Sequence, residues 1–233
     1  MMVRAGTSGF SYKEWKPDFY PDELADGDML AYYGKRLPTV EINNTFYKLP
    51  RASVLEGWAD KVPPTFVFAL KASQRITHRA RLRADSAADP LAYLWKTAQT
   101  LGQRLGPILF QMPPNLKLDL PRLVDFLALV PDGMRAAFEF RHPAWATDEV
   151  YDALRQRGAA WCVAETDQAP EPTLVATAPW GYLRLRKERY GDAELAAWAQ
   201  RLADSGQDEL YVYFKHDDGA APVTARRFSE LCG

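Results

Sequence analysis

Two cysteines, three histidines and a net charge of −1 leave this chain of 233 residues short of the ingredients several chemistries need. Cys162 and Cys232 lie far apart in sequence and form neither a disulfide framework nor a zinc-ligand motif. Cys162 falls in an apolar strand-like run and reads as a small core residue. No apolar window is long enough to cross a membrane as a helix, and MMVRAGTSGF at the start has no run suited to export. The expected setting is therefore soluble, reducing and cytoplasmic, with no membrane partner. A nearly neutral chain gives no bulk electrostatic reason to bind nucleic acid. Gly6 and Gly9 flank Thr7 and Ser8, but no GxGxxG follows, and neither a P-loop nor a nucleophile elbow is present. No linker or shift in composition marks a second domain, so residues 1–233 are expected to form one.

Strand-like runs that end in polar residues fill the sequence instead. They are TVEIN (39–43), FVFALKA (66–72), PILFQM (107–112), AAFEFRH (136–142), AWCVAE (160–165), YLRLR (182–186) and LYVYFKH (210–216), with VRAGTSG (3–9) ahead of them. Segments of helical spacing alternate with these runs. In 89–105, Asp89 can cap, Pro90 suits the first helical position, and Leu91, Leu94, Trp95, Ala98, Leu101 and Leu105 share a face. Further helices are expected over 119–130, over 148–157 with Thr147 as cap and Gly158 as terminator, and from Asp192 to before Gly206. Less regular ones are expected at 23–37, 52–61 and 222–231, and Trp58, Trp95 and Trp198 are expected in the core. Residues 166–180 carry Pro170, Pro172 and Pro179 and no amphipathic face, so the sixth helix should be replaced by a loop. Strands alternating with helices imply parallel pairing with right-handed crossovers. The fold class is thus an α/β, TIM-like (β/α) barrel of eight parallel strands, preferred over a doubly wound open sheet.

In a parallel barrel the strand ends converge on one pocket at the C-terminal face. Alternate strand residues share a side, which pairs Glu41 with Asn43, Glu139 with Arg141 and Arg184 with Arg186. Lys71, Gln111 and Lys215 end their own strands. Buried charge is costly unless paired, so these groups should pair with one another, with ligand or with water. A purely structural ring of ion pairs is the alternative. Lys71, Arg75, Arg79, Arg81 and Arg83 follow strand 3, with His78 among them and no acid between 71 and 83, and Arg184, Arg186, Lys187 and Arg189 follow strand 7 against only Glu188. Two basic rim segments point to an anionic ligand, or else to solvated arginines. Tyr12, Trp15, Phe46, Tyr47, Trp145 and Tyr190 could stack on a ligand ring or pack between loops. His142 and His216 end strands and, with Glu139, Glu165 or Asp167, could hold a divalent cation, but no compact ligand motif is present. No cofactor and no metal residue is assigned. One lysine at a strand end does not by itself specify Schiff-base chemistry.

The segments GTSGFSYKEWKPDFYP (6–21), TVEINNTFYKLP (39–50), FALKASQRITH (68–78), LGPILFQMPPNLK (105–117), AFEFRHPAW (137–145), YLRLR and YVYFKHDDGAAPVTA (211–225) occur in an order that resembles the YecE-like family, domain of unknown function 72. The resemblance spans nearly the whole chain and implies a TIM-like barrel without naming an activity. Its shared polar and aromatic positions fall here on Ser8, Tyr12, Trp15, Glu41, Asn43, Phe46, Tyr47, Lys71, Gln111, Glu139, Arg141 and Trp145. Members often carry His-Gly after the strand 7 arginine and Asn-Asn at the end of strand 8. This chain has Arg186-Lys187 and Lys215-His216, both of which add positive charge to the rim.

The function expected is an enzyme for a small anionic substrate, such as a phosphorylated sugar or nucleotide fragment, acting by hydrolysis, isomerisation or lyase chemistry. Glu41 and Glu139 are the expected acid/base pair. Lys71, Arg141 and Arg184 would bind the anion or stabilise developing negative charge. Asn43 and Gln111 would orient polar groups, while Ser8, Tyr12, Trp15, Phe46, Tyr47, Trp145, Arg186 and Lys215 complete the pocket. The alternatives are a nucleic-acid protein using the basic loop 75–83 and a non-catalytic ligand binder. If Glu139 serves function, Glu139→Gln should be near neutral in stability.

Overall fold

In the computed structural model, which describes residues 1–168, 172–215 and 219–233, eight parallel strands close into a barrel in sequence order. The strands are β1 (Met2–Ser8), β2 (Thr39–Ile42), β3 (Val67–Lys71), β4 (Leu105–Gln111), β5 (Ala136–Glu139), β6 (Ala160–Glu165), β7 (Trp180–Leu185) and β8 (Glu209–Phe214). The helices are α1 (Met29–Gly34), α2 (Ala52–Ala59), α3 (Ala84–Ala98), α4 (Leu120–Leu129), α5 (Asp148–Arg157), α6 (Asp192–Ala203) and α7 (Ala220–Leu231). The doubly wound alternative is excluded by closure, because β8 pairs in parallel with β1. One close approach requires glycine: Gly6 stands opposite Thr39, and a Cβ there would lie 2.1 Å from the Thr39 carbonyl oxygen.

The helices follow their apolar faces. α4 buries Leu123, Phe126 and Leu127, and Asp119 caps it by accepting from the Arg122 N–H. α5 buries Val150, Ala153 and Leu154 and ends at Gly158, whose φ of 65° is open to glycine at little cost. α3 departs from expectation. It begins at Ala84, carries Pro90 inside, and stops at Ala98, so Leu105 belongs to β4. The earlier start buries Ala87, and the Arg83 carbonyl accepts from the Ser86 and Ala87 N–H groups. Gly102, at φ 55°, turns the chain out of the helical path. Trp198 is core, whereas Trp58 and Trp95 are only partly buried against it.

Between β6 and β7 there is no helix among the described residues; Pro170 lies outside them. Thr177 fastens this connection by accepting from the Trp161 N–H and donating to the Ala159 carbonyl, both at 2.7 Å.

The core has two layers. One lies between strands and helices, and a second, including Val67, Leu109, Ala137, Cys162, Tyr182 and Tyr213, fills the barrel itself. Below it, at the N-terminal end of the strands, Glu209 accepts from Arg4, Arg135 and Tyr211, and Arg135 also donates to the Tyr211 hydroxyl. These groups close that end of the barrel. No helix is long and apolar enough to cross a membrane among the described residues.

Candidate active site at the barrel mouth

Five strands each place a polar inward residue at the top of the barrel. Ser8 comes from β1, Glu41 from β2, Gln111 from β4, Glu139 from β5, and Tyr182 with Arg184 from β7. Arg184 is the centre. Its Nη2 donates to Glu41 Oε1 at 2.9 Å and its Nη1 to Glu139 Oε2 at 2.8 Å. All three side chains are almost wholly buried. Glu41 also accepts from Ser8 Oγ (2.7 Å), Asn43 Nδ2 (3.1 Å) and Tyr182 Oη (2.7 Å). Glu139 also accepts from Gln111 Nε2, at 2.9 Å on each oxygen, and from Arg141 Nε at 3.2 Å.

This network fixes the charge states. Burial alone would raise both carboxyls, but the Arg184 guanidinium outweighs it. Glu41 is held below the ordinary carboxylate range, and Glu139, with Arg141 and Gln111 added, falls to about 2. Both are therefore anions at neutral pH with every oxygen engaged.

Three cations stand above them. The ammonium of Lys71, at the end of β3, makes no ion pair or hydrogen bond among the described residues; it sits 4.5 Å over the centre of the Phe46 ring. Burial, then the positive charge of Arg184, lowers its ammonium to about 8. Arg186 is half-buried, and burial and Arg184 lower its pKa too. Arg141 is the most exposed of the three. His78 meets the other side of this group. Its ring packs edge-on against Phe46 at 4.9 Å, and its Nδ1 lies 2.9 Å from Thr77 Oγ1. Burial first, then Lys71, Arg141 and Arg81, lowers its pKa, so the imidazole is neutral at pH 7.

The loop that carries His78 is strained. Arg75–Arg79 forms a π-type turn, and Arg81 and Leu82 follow at φ 52° and 62°. Left-handed conformations cost about 1–2 kcal/mol for such residues. Full burial of Leu82 and the bond from Arg81 to Asn115 hold them in place. Turns of this kind are frequent at functional sites.

The model of the family described as "Protein of unknown function DUF72" matches residues 4–233. The chain belongs to the DUF72 family. It is 27% identical to the UPF0759 protein YunF of Bacillus subtilis (strain 168), over 94% of this chain and 90% of that protein. It is 32% identical to the UPF0759 protein YecE of Escherichia coli (strain K12), over 55% of this chain and 47% of that protein. A DUF72 family crystal structure from Thermotoga maritima matches with a TM-score of 0.81 at 25% identity, over 99% of both chains. One from Enterococcus faecalis matches at 0.82 and 17% identity, over 99% of this chain and 95% of that one.

In this DUF72 barrel, Ser8, Glu41, Asn43, Gln111, Glu139, Arg141 and Arg184 form one network, with Lys71, Phe46 and Arg186 against it. Trp15 and Trp145 require correction as ligand-stacking residues. Both are fully buried; Trp145 donates from Nε1 to the Leu116 carbonyl, and Trp15 stacks on Tyr20. Tyr12 is half-buried, its hydroxyl donating to the Ser8 carbonyl. Tyr47 is 74% exposed and lines a different cleft with Arg75 and Tyr93. Lys215 lines a cleft of about 540 Å³ with Lys187, Arg189 and Tyr190, and no residue of the Arg184 network is among that cleft's lining. His216 lies outside the described residues. Glu165 faces the helices, where Tyr190, Trp198 and Lys187 engage it. Among the described residues no group of three or more His, Cys, Asp and Glu could hold a metal ion.

Two site residues were missed. Tyr182 stands two before Arg184 on the same strand face, a signal the sequence carried. His78 is aimed by a π-type turn whose spacing matches no standard period. The network also reverses one expectation. Glu139→Gln would put an amide N–H₂ against Gln111, Arg141 or Arg184 in either rotamer, and would leave Arg184 with one carboxylate. Thermal unfolding at pH 7 should show a loss of roughly 2–3 kcal/mol, about 5–10 °C in Tm. An unchanged Tm would mean that these bonds do not hold Glu139.

Proposed function

We propose that this protein is an enzyme that binds a small anionic substrate at the C-terminal barrel face and moves a proton on it with Lys71. One observation carries the reading: a half-buried lysine whose ammonium has no hydrogen bond or ion pair among the described residues, beside two arginines, over carboxylates already engaged. Arg141 and Arg186 supply the anion-binding charge, and a phosphate or carboxylate accepts from both. Lys71, with its pKa at about 8, can donate or accept a proton near neutral pH. Glu41 and Glu139 do not split acid and base roles in this reading, because a carboxyl whose pKa is lowered by a guanidinium and which is engaged on both oxygens is a poor acid near neutral pH. Their role is positional: they lock Arg184 and aim Asn43, Gln111 and Arg141. Hydrolysis, isomerisation and lyase reactions of a phosphorylated or carboxylated substrate all fit such a mouth.

Titration calorimetry with inorganic phosphate at low salt tests this. The expected result is one site per chain, weakened about tenfold or more in Arg141→Ala and in Arg186→Ala, one tenfold step being 1.4 kcal/mol. Phosphate binding unaffected by both substitutions would refute it. Binding of short single strands instead, lost in the triple variant Arg75, Arg79, Arg83→Ala, would move the function to nucleic acid.

A further inference from the structure

We propose that Lys71 is an amine nucleophile, forming an imine with the carbonyl carbon of an anionic aldehyde or ketone. This rests on the reading of the mouth as an anion site and names its substrate class. The surroundings of Lys71 set it apart. Lys16 donates to the Asp22 and Leu24 carbonyls, Lys61 to the Gly27 carbonyl, and Lys187 pairs with Glu165 and Glu194. Lys71 is half-buried and has the face of Phe46 and no such bond among the described residues. Among the described residues Glu41 and Glu139 are the nearby anions, and Arg184 occupies both. Desolvation and neighbouring cations are the two means by which a lysine is activated for carbonyl chemistry. With its ammonium lowered to about 8, roughly one chain in ten carries the free amine at pH 7.

The step balances without an added oxidant or reductant. Neutral Nζ adds to the carbonyl carbon, the C–O π bond opens, and the oxygen takes a proton to give a carbinolamine. The nitrogen then loses its proton, and the C–O bond breaks with proton delivery to the departing oxygen. One water leaves and a C=N bond remains. His78 packs on the same Phe46 ring as Lys71 and its pKa is lowered, which among the described residues makes it a group of this rim suited to carry those protons. Arg141 and Arg186 would hold the substrate's phosphate or carboxylate. A protonated imine then withdraws electrons from the adjacent carbon, which supports cleavage or isomerisation there.

Reductive trapping tests the proposal. The full chain is incubated with glyceraldehyde 3-phosphate or pyruvate and sodium cyanoborohydride, and the modified lysines are located by peptide mass spectrometry. The expected result is one saturable adduct on Lys71, at least about tenfold above any exposed lysine. Inorganic phosphate should suppress it, and Lys71→Met should lack it while unfolding cooperatively. Neutral glyceraldehyde should react with less preference. Adducts spread over the exposed lysines, or an undiminished total in Lys71→Met, would overturn the proposal. Phosphate binding that depends on Arg141 and Arg186 with no adduct at Lys71 would end the imine and leave the anion site standing. Loss of both results would end both.

Discussion

Arg184→Met is expected to lower stability at pH 7 by about 3–5 kcal/mol, the loss seen when one partner of a buried ion pair is removed. For a chain of this length that is a fall in Tm on the order of 10 °C or more. Methionine fills much of the same volume, so the loss is electrostatic. Glu41 and Glu139 would face each other across the barrel without the guanidinium that both now accept from. The pH dependence separates this cause from a packing defect. In the parent protein both carboxyls titrate below their unfolded values, Glu139 at about 2. Their stabilisation is present above about pH 4.3 and is lost as pH falls through the folded-state values, for Glu139 toward 2. In the variant the carboxyls titrate higher and accept protons earlier. The stability gap should be widest at neutral pH and narrow on acidification through the carboxylate range. Urea unfolding from pH 7 to 4 reads this directly. A gap constant over that range would assign the loss to packing.

Lys71→Met is expected to do the opposite to stability while removing function. The lysine is charged and half-buried, with Arg184, Arg141, Glu41 and Glu139 as its charged neighbours. Burial is the largest cause of its lowered pKa, followed by Arg184, so folding works against this ammonium. Its folded pKa, about 8, lies below the unfolded value of about 10.4. Between those limits the unfolded state binds more protons, so stability of the parent rises with pH there. The penalty is complete below pH 8 and has vanished by about pH 10.4. Methionine carries no such penalty. The variant should be more stable by on the order of 1 kcal/mol at pH 7, after discounting for solvent access, with the advantage fading across that window. Affinity of the mouth for phosphate should fall about tenfold in calorimetry, as expected when one phosphate-binding charge is lost. A variant less stable than the parent at pH 7 would mean that Lys71 is a structural cation.

The barrel was legible because its signals are local. Runs such as TVEIN and YLRLR carry the strand period, and that period put Glu41 with Asn43 and Arg184 with Arg186 on inward faces. What joins Glu41 to Glu139 is not local. They sit on β2 and β5, which are not neighbours, and Arg184 reaches both from β7 across the interior. Only closure of the sheet brings those three strands to one centre. For the same reason the acid/base expectation for the carboxylates looked natural in sequence: nothing in VEIN or FEF says that one guanidinium saturates both. Trp15 and Trp145 follow strands, where loops could present them to a ligand, yet each loop folds its indole down onto the barrel. The start of α3 was misplaced because Asp89-Pro90 is a strong start signal, overridden here by burial of Ala87.

The stopper formed by Arg4, Arg135, Glu209 and Tyr211 bears on traffic. With that end shut and the interior packed, the barrel is not a passage but a cup with one opening. If the mouth acts as proposed, reactant and product of a reaction at Lys71 would share this doorway and the same pair of arginines. An anionic product would then hold off the next reactant until it departs, and its inhibition would be of the competitive kind.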